Sequence, residues 1–461
     1  MTNEELRESL LASPKNGFLK LTDAQRKEMN DYCAGYAAFM DESKTEREAT
    51  AWAVAEAEKH GFKPFNPHMQ ANPGDKIYLN NRDKSIILAV IGTEPLSKGA
   101  NICAAHVDSP RLDLKPNPLY EDSEIAYFKT HYYGGIKKYQ WATIELALHG
   151  VVCRSDGTKV NITIGEDPSD PILMVSDLLP HLAADQMKKT LAEGIVGEQL
   201  NVILGSEPLS GEGSDLVKLH VMKLLNEKYG ITENDFHSAE LSIVPAGKCR
   251  DLGLDRSLIS AYGHDDRVCA YAEMEALWNI GAPAKTAVCI LADKEEIGSV
   301  GVSGMQSHFF EYFMETLCLA QGVRLSECFA NSFCLSADVS NGFDPNFPEV
   351  SDRRNNSQLG YGVAICKYTG ARGKSGASDA PAEAMSHVRR TLDAAGVQWQ
   401  LATMGKVDQG GGGTVAAYMA NRNIVTVDAG VPVLSMHAPL EIVSKLDCYM
   451  TYLACKAIYL A

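Results

Sequence analysis

Short apolar runs that stop at a polar or glycine break recur along the chain, with helically spaced stretches between them. Residues 44–60 read as a helix: Thr45, Glu46 and Glu48 load its start, Ala and Trp fill its middle, and Gly61 stops it. The turn signal Pro73-Gly74-Asp75-Lys76 leads into strand-like Ile77-Tyr78-Leu79 and then Ile86-Ile87-Leu88-Ala89-Val90-Ile91, bounded by Gly92. Asn101-Ile102-Cys103-Ala104-Ala105 is another apolar run, ending abruptly at His106-Val107-Asp108-Ser109-Pro110. Further on, strands at 241–245, 287–292, 333–337 and 424–427 alternate with helical periods near 266–280 and 379–394. A last helix carries Ile442, Leu446, Met450 and Leu453 at helical spacing. This alternation predicts an α/β core with helices on both faces of a sheet. Between about 115 and 240 the pattern changes to short strand-like pieces (144–152, 159–164), frequent Gly, Asp and Pro breaks and two amphipathic stretches. We read 115–240 as a domain inserted into a catalytic unit made of 1–114 and 241–461.

Composition narrows the class. A chain of 461 residues exceeds one ordinary core, in keeping with a large unit plus a smaller one. With 45% apolar and 22% charged residues it has the balance of a globular protein. No apolar run approaches the ~20 residues of a membrane helix, and Met1-Thr2-Asn3-Glu4-Glu5 does not open a secretory signal, so a cytoplasmic location is expected. The net charge of −16, from 43 basic and 59 acidic residues without a dense basic cluster, argues against nucleic acid or an anionic membrane as partner. The 12 cysteines are scattered, with no CxxC pair, and read as reduced thiols.

Five places put a metal-competent side chain at or just after the end of an apolar run: His106 with Asp108; Asp265-Asp266; Glu295-Glu296; Asp338; and His437. Alone, each has a plain explanation; an Asp-Asp pair at a helix start, for example, is an ordinary cap. Together they supply two histidines and several carboxylates. Zinc takes such ligands, and a carboxylate is needed to bridge two ions. In an open α/β sheet, ligand sites gather at the carboxyl ends of the strands, so dispersed positions are no obstacle.

These motifs resemble the M18 family of metallo-aminopeptidases, the group of aspartyl aminopeptidase and vacuolar aminopeptidase I. The resemblance is carried by Pro73-Gly74-Asp75-Lys76, His106-Val107-Asp108-Ser109-Pro110, Asp293-Lys294-Glu295-Glu296-Ile297-Gly298-Ser299 and Ser435-Met436-His437, in the family's order, and runs from about residue 20 to the C-terminus. It implies a zinc-peptidase-like mixed sheet flanked by helices, with an inserted β-rich lid and dimerisation domain. It implies two zinc ions per subunit, with cobalt or manganese as substitutes. His106 and Asp338 would serve one ion, Glu296 and His437 the other, and Asp265 would bridge them. Asp108 would orient the His106 ring, and Glu295 would act as general base. Leu178-Leu179-Pro180-His181-Leu182 resembles a stretch whose His reaches a neighbouring subunit's active site, making His181 a candidate oxyanion donor. A homo-oligomer, a dodecamer built from dimers, is implied.

The chain departs from the family pattern in two places. His264-Asp265-Asp266 replaces the more usual Leu-Asp-Asn, and in Ile365-Cys366-Lys367-Tyr368-Thr369-Gly370 the lysine of acid-specific members is displaced. The first-residue preference therefore stays open between acidic and neutral or hydrophobic. Lys374 and Lys406 are candidates for contacting an acidic group of a peptide substrate. The glycine-rich run with Asp408 and Gly411 is a candidate pocket lining, or a tight turn before a helix. The competing enzyme reading is a two-metal deacylase or carboxypeptidase on a related fold. The non-enzymatic one is an oligomeric shell protein with a vestigial metal site.

Overall fold

The computed structural model describes all residues, 1–461. Its centre is a nine-stranded mixed sheet. In spatial order the strands are Lys63–Pro64, Lys76–Asn81, Ser85–Val90, Thr286–Ala292, Ala100–His106, Phe333–Ser336, Val425–Gly430, Val363–Cys366 and Trp399–Ala402. Thr286–Ala292, Ala100–His106, Phe333–Ser336 and Val425–Gly430 run parallel, with Ala292 level with His106 and Ser336 level with Ala104. Their carboxyl ends therefore share one edge.

The central strands are buried along their whole length because helices cover both faces. In Ala100–His106, Cys103 and Ala105 face a core with helices Asp23–Glu42, Glu46–Lys59, His264–Trp278 and Lys445–Tyr459. Ile102 and Ala104 face the opposite core, with Phe309–Ala320, Leu325–Ala330 and Val415–Asn421. Each buried Leu or Ile in these layers contributes ~1.5–3 kcal/mol of transfer free energy. Two of the covering helices begin with reciprocal side-chain caps, Thr22 with Gln25 and Thr45 with Glu48, which satisfy the free N–H groups of the first turn.

A second sheet of six strands is antiparallel throughout. Its order is Lys159–Ile164, Leu146–Cys153, Ala239–Pro245, Arg111–Asp122, Ile125–Tyr133 and Val202–Gly205. It has its own apolar core around Trp141, Phe128 and Leu148, against which helix Leu216–Tyr229 packs through Val221, Met222 and Leu225. Residues 241–245, expected in the catalytic sheet, instead pair with Leu146–Cys153 here. A wholly apolar strand is buried in either place, so its composition does not say which sheet it joins. The sheet thus extends over 111–245, a few residues beyond 115–240 at each end.

A third, five-stranded sheet joins Arg250–Leu252, Leu258–Ala261, Glu441–Ser444, Pro432–Leu434 and Ser340–Asn341. Ile442 lies in this sheet, so the last helix starts at Lys445 and not before it. No helix is long and apolar enough to cross a membrane.

Candidate metal centre

His106 is the final residue of its strand and is 1% exposed. Nδ1–H donates to the Asp108 carbonyl at 3.0 Å, which leaves Nε2 facing Asp265 Oδ1 at 3.1 Å. The other Asp265 oxygen, Oδ2, faces His437 Nε2, also at 3.1 Å. His437 Nε2 lies 3.4 Å from Glu296 Oε1, and its Nδ1–H donates to the Gly135 carbonyl at 2.8 Å. Asp265 therefore stands between the two histidines, one oxygen to each.

Local structure explains the placement. Asp265 sits in the first turn of helix His264–Trp278 but with non-helical ψ of 107°, and its N–H donates to Glu441 Oε2 at 3.0 Å. The other Glu441 oxygen accepts the His437 N–H at 2.7 Å, so one buried carboxylate pins two site residues from separate elements. Gly263 precedes the helix at φ +74, where a Cβ would stand 1.5 Å from the buried Arg267 guanidinium. Only glycine fits there. Glu295 and Glu296 share a single 3₁₀ turn after strand Thr286–Ala292. Their N–H groups donate to the two Asp108 oxygens at 3.1 and 3.2 Å, and Tyr133 O–H donates to Asp108 Oδ2 at 2.7 Å. His106, Asp266 and Asp338 form a second close group, and Asp266 Oδ2 also accepts the His106 N–H.

The electrostatics are those of crowded, buried acids. Burial first, then the neighbouring carboxylates Asp108 and Asp265, push Glu295 up to about 7. Burial raises Glu296 and Asp338 well above the usual carboxylate range, aided by Asp265 and Asp266 respectively. Asp265 is held below its ordinary value: burial opposes its charge, but the bonds from His106 and His437 prevail. His437 rises to about 10, its own burial outweighed by Asp265 and Glu296.

A divalent cation fits this set. Donors on a tetrahedral zinc at ~2.1 Å stand about 3.4 Å apart, close to the 3.1, 3.1 and 3.4 Å seen here. Glu296 Oε1 and Asp266 Oδ1 are buried without a hydrogen-bond partner, as ligand oxygens kept for an ion would be. The carboxylates also outnumber the cations facing them, which only positive charge or protons relieve.

The structure thus brings His106, Asp108, Asp265, Glu295, Glu296, Asp338 and His437 to one edge of the sheet. His181 is not with them: it lies on an exposed turn, Pro180–Leu182, and bonds to none of these residues. Lys374 donates to Asp379 at 2.8 Å and stacks 3.9 Å from the Tyr368 ring centroid; Lys367 donates to the same Asp379. Lys406 and Asp408 are exposed in the glycine-rich loop. Gly411 is explained by backbone crowding, since a Cβ there would meet the Gly370 carbonyl at 1.8 Å. Sequence reasoning missed Tyr133, Gly135 and Glu441, and it counted Asp266 among the metal-competent residues without giving it an ion. Only Asp266, beside Asp265, stood next to a signal.

A carboxylate–histidine cluster at the carboxyl ends of parallel strands defines the class: a metal-dependent hydrolase. The family model described as aminopeptidase I zinc metalloprotease (M18) matches residues 39–459. A probable M18 family aminopeptidase 1 of Clostridium acetobutylicum is 49% identical over 451 residues, 96% of this chain and 97% of the relative. A crystal structure of an M18 aminopeptidase from Thermotoga maritima superposes with a TM-score of 0.92 at 43% identity, covering 97% of this chain and 99% of that one. Aminopeptidase I from Clostridium acetobutylicum gives 0.92 at 46%, covering 98% and 100%. The chain belongs to the M18 family of zinc metallo-aminopeptidases and is a hydrolase acting on peptides.

Proposed function

We propose that the chain removes the N-terminal residue of peptides at a co-catalytic site for two zinc ions. The observation that carries this is Asp265, whose two oxygens each face a different histidine at 3.1 Å. In this reading His106 and Asp338 hold one ion, Glu296 and His437 the other, and Asp265 both. Zinc there would make a water acidic enough to lose a proton near neutrality and would polarise the scissile carbonyl. Glu295 is the proton carrier. Its Oε2 lies 3.9 Å from His106 Nε2, close to the ions without being needed as a ligand, and its raised pKa suits a group that takes a proton and returns it to the leaving amine. Asp108 orients His106 and fixes the turn bearing both glutamates.

We place the substrate's first side chain near the loops containing Lys374, Lys406, Asp408 and Gly411, which meet where Gly370 N–H donates to the Gly412 carbonyl at 2.7 Å. Lys374 is already paired with Asp379, which favours a neutral or hydrophobic first residue over an acidic one. His181 would act only across a subunit boundary. The exposed Leu178, Leu182, Met187 and Leu191 around it support a homo-oligomer built from dimers, with the dodecamer of a yeast aminopeptidase of the same fold as precedent. Twelve free cysteines, ten of them buried, support the reducing cytoplasm.

The test is hydrolysis of a panel of aminoacyl anilides, N-acetylated analogues and C-terminal substrates by metal-stripped protein reloaded with zinc, cobalt or manganese. Free-amine substrates should be cleaved, with activity reaching its plateau at two zinc equivalents. Cleavage of acetylated substrates alone would favour a deacylase, and cleavage from the C-terminus a carboxypeptidase. Full metal loading without turnover would favour the shell protein.

A further inference from the structure

Strand Ile125–Tyr133 of the six-stranded sheet runs out at Tyr133-Gly134-Gly135, and all three residues touch the metal centre. Tyr133 O–H donates to Asp108 Oδ2. The ring of Tyr133 lies 4.1 Å from the Arg111 guanidinium, which is held by Glu46 at 2.9 Å and Asp113 at 2.8 Å, so the ring is clamped from behind. Gly134, at φ +74, lies beside Glu296: a Cβ there would be in ordinary contact, at 3.4 Å, with its Cβ and Oε2. The Gly135 carbonyl accepts the His437 Nδ1–H bond. A carbonyl only accepts, so that bond holds a proton on Nδ1 and points Nε2 at Asp265 and Glu296. Asp108 does the same for His106.

Both histidines are therefore oriented by one strand end, His437 directly and His106 through Asp108. A half-buried tyrosine can satisfy its hydroxyl in water or on any nearby carbonyl. This one aims it at a fully buried carboxylate that already carries two N–H donors.

We propose that Tyr133 is a positioning residue for the zinc site, and that through Tyr133–Gly135 zinc affinity depends on how the six-stranded sheet is seated; this rests on the two-zinc reading above. Coupling is reciprocal, so zinc should in turn tighten this segment.

The test is zinc titration of metal-stripped, full-length Tyr133→Phe against a competing chelator. Phe keeps the ring over Arg111 and removes only the hydroxyl. The expected result is about tenfold weaker binding of one of the two zinc equivalents, with the other equivalent unchanged and the metal-free variant still folded cooperatively. At saturating zinc, kcat should fall with KM unaltered. In wild-type protein, amide exchange over residues 125–137 should slow when zinc is added. Wild-type affinity for both equivalents in the variant overturns the proposal. So does exchange indifferent to zinc. If wild-type protein itself takes up fewer than two equivalents, the two-zinc reading fails as well; with two equivalents bound and an unaltered variant, only the role of Tyr133 does.

Discussion

Replacing Glu295 by Gln removes one proton acceptor from the cluster while preserving the side chain's shape. The Glu295 carboxylate makes no hydrogen bond to the protein, and its nearest cationic neighbour is His106 Nε2 at 3.9 Å. What holds its turn is the main-chain N–H on Asp108 Oδ1 at 3.1 Å, and that bond survives the change. Gln should therefore fold as Glu does. Losing a carboxyl that burial and the Asp108 and Asp265 charges push up to about 7 relieves repulsion, so zinc should still bind. A positioned base contributes ~10²–10⁴-fold, equivalent to ~3–5.5 kcal/mol of barrier. Steady-state kcat on the best anilide should fall by that factor, with zinc content measured by atomic emission staying at the wild-type level. The pH profile adds a sign. The base works only when deprotonated, so wild-type kcat should fall as pH drops through its pKa. Nearby divalent charge favours the carboxylate and moves this acid limb below 7. The Gln variant should lack the limb. A variant as active as wild type, or one that loses zinc in step with activity, would refute the reasoning.

Asp265→Asn should lower zinc stoichiometry as well as rate, because it weakens the one group facing both histidines; unchanged metal content on a chelator assay would remove Asp265 as the bridge. Gly263→Ala places a Cβ 1.5 Å from the Arg267 guanidinium at φ +74, and should cost at least the ~1–2 kcal/mol of a left-handed residue, read as a lower melting midpoint. His149 should make stability depend on pH. Its burial is outweighed by bonds to Glu166 and Glu48, which raise it from 6.5 to about 9. A group raised on folding stabilises fully below its unfolded pKa, and that contribution disappears as pH rises through the folded value. Urea unfolding at pH 6 and pH 10 should therefore show wild type losing ~2–3 kcal/mol more than His149→Gln; equal losses would sink the assignment.

How much of this was legible depends on what local pattern encodes. Strands Ala100–His106, Thr286–Ala292 and Phe333–Ser336 are covered on both faces, so they read as unbroken apolar runs. The switch to His106, Glu295 and Asp338 just beyond them was visible for that reason. The strands of the third sheet are short and half-buried, and residues 340–341 pair over two positions only. No periodicity survives at that length, so the sheet that aligns Asp265, Glu441 and His437 stayed hidden. Tyr133 and Gly135 had no metal-ligand chemistry to betray them, since one acts through a hydroxyl on Asp108 and the other through a main-chain carbonyl. Gly411 is ambiguous at the level of sequence: a glycine run fits either approach to a ligand or a tight turn, and the Gly370 carbonyl that a Cβ there would meet requires glycine on either reading.

The path of the chain gives the six-stranded sheet its hold on the metal centre. It leaves the catalytic sheet at His106, passes Asp108, and opens the second sheet at Arg111; it returns from that sheet at Pro245, shortly before Asp265. The strand Arg111–Asp122 of that sheet thus starts three residues from Asp108. Its hairpin partner, Ile125–Tyr133, pairs back along it with Tyr133 level with Arg111, and so delivers Tyr133 to Asp108 and Gly135 to His437. A ladder of antiparallel hydrogen bonds cannot slide by one residue without turning every side chain to the other face. The six-stranded sheet is also tied to helix Glu46–Lys59, by His149 between Glu48 and Glu166 and by Arg111 on Glu46. If the six-stranded sheet shifts, both histidines should move with it through Tyr133 and Gly135, which is the coupling that the Tyr133→Phe titration reads.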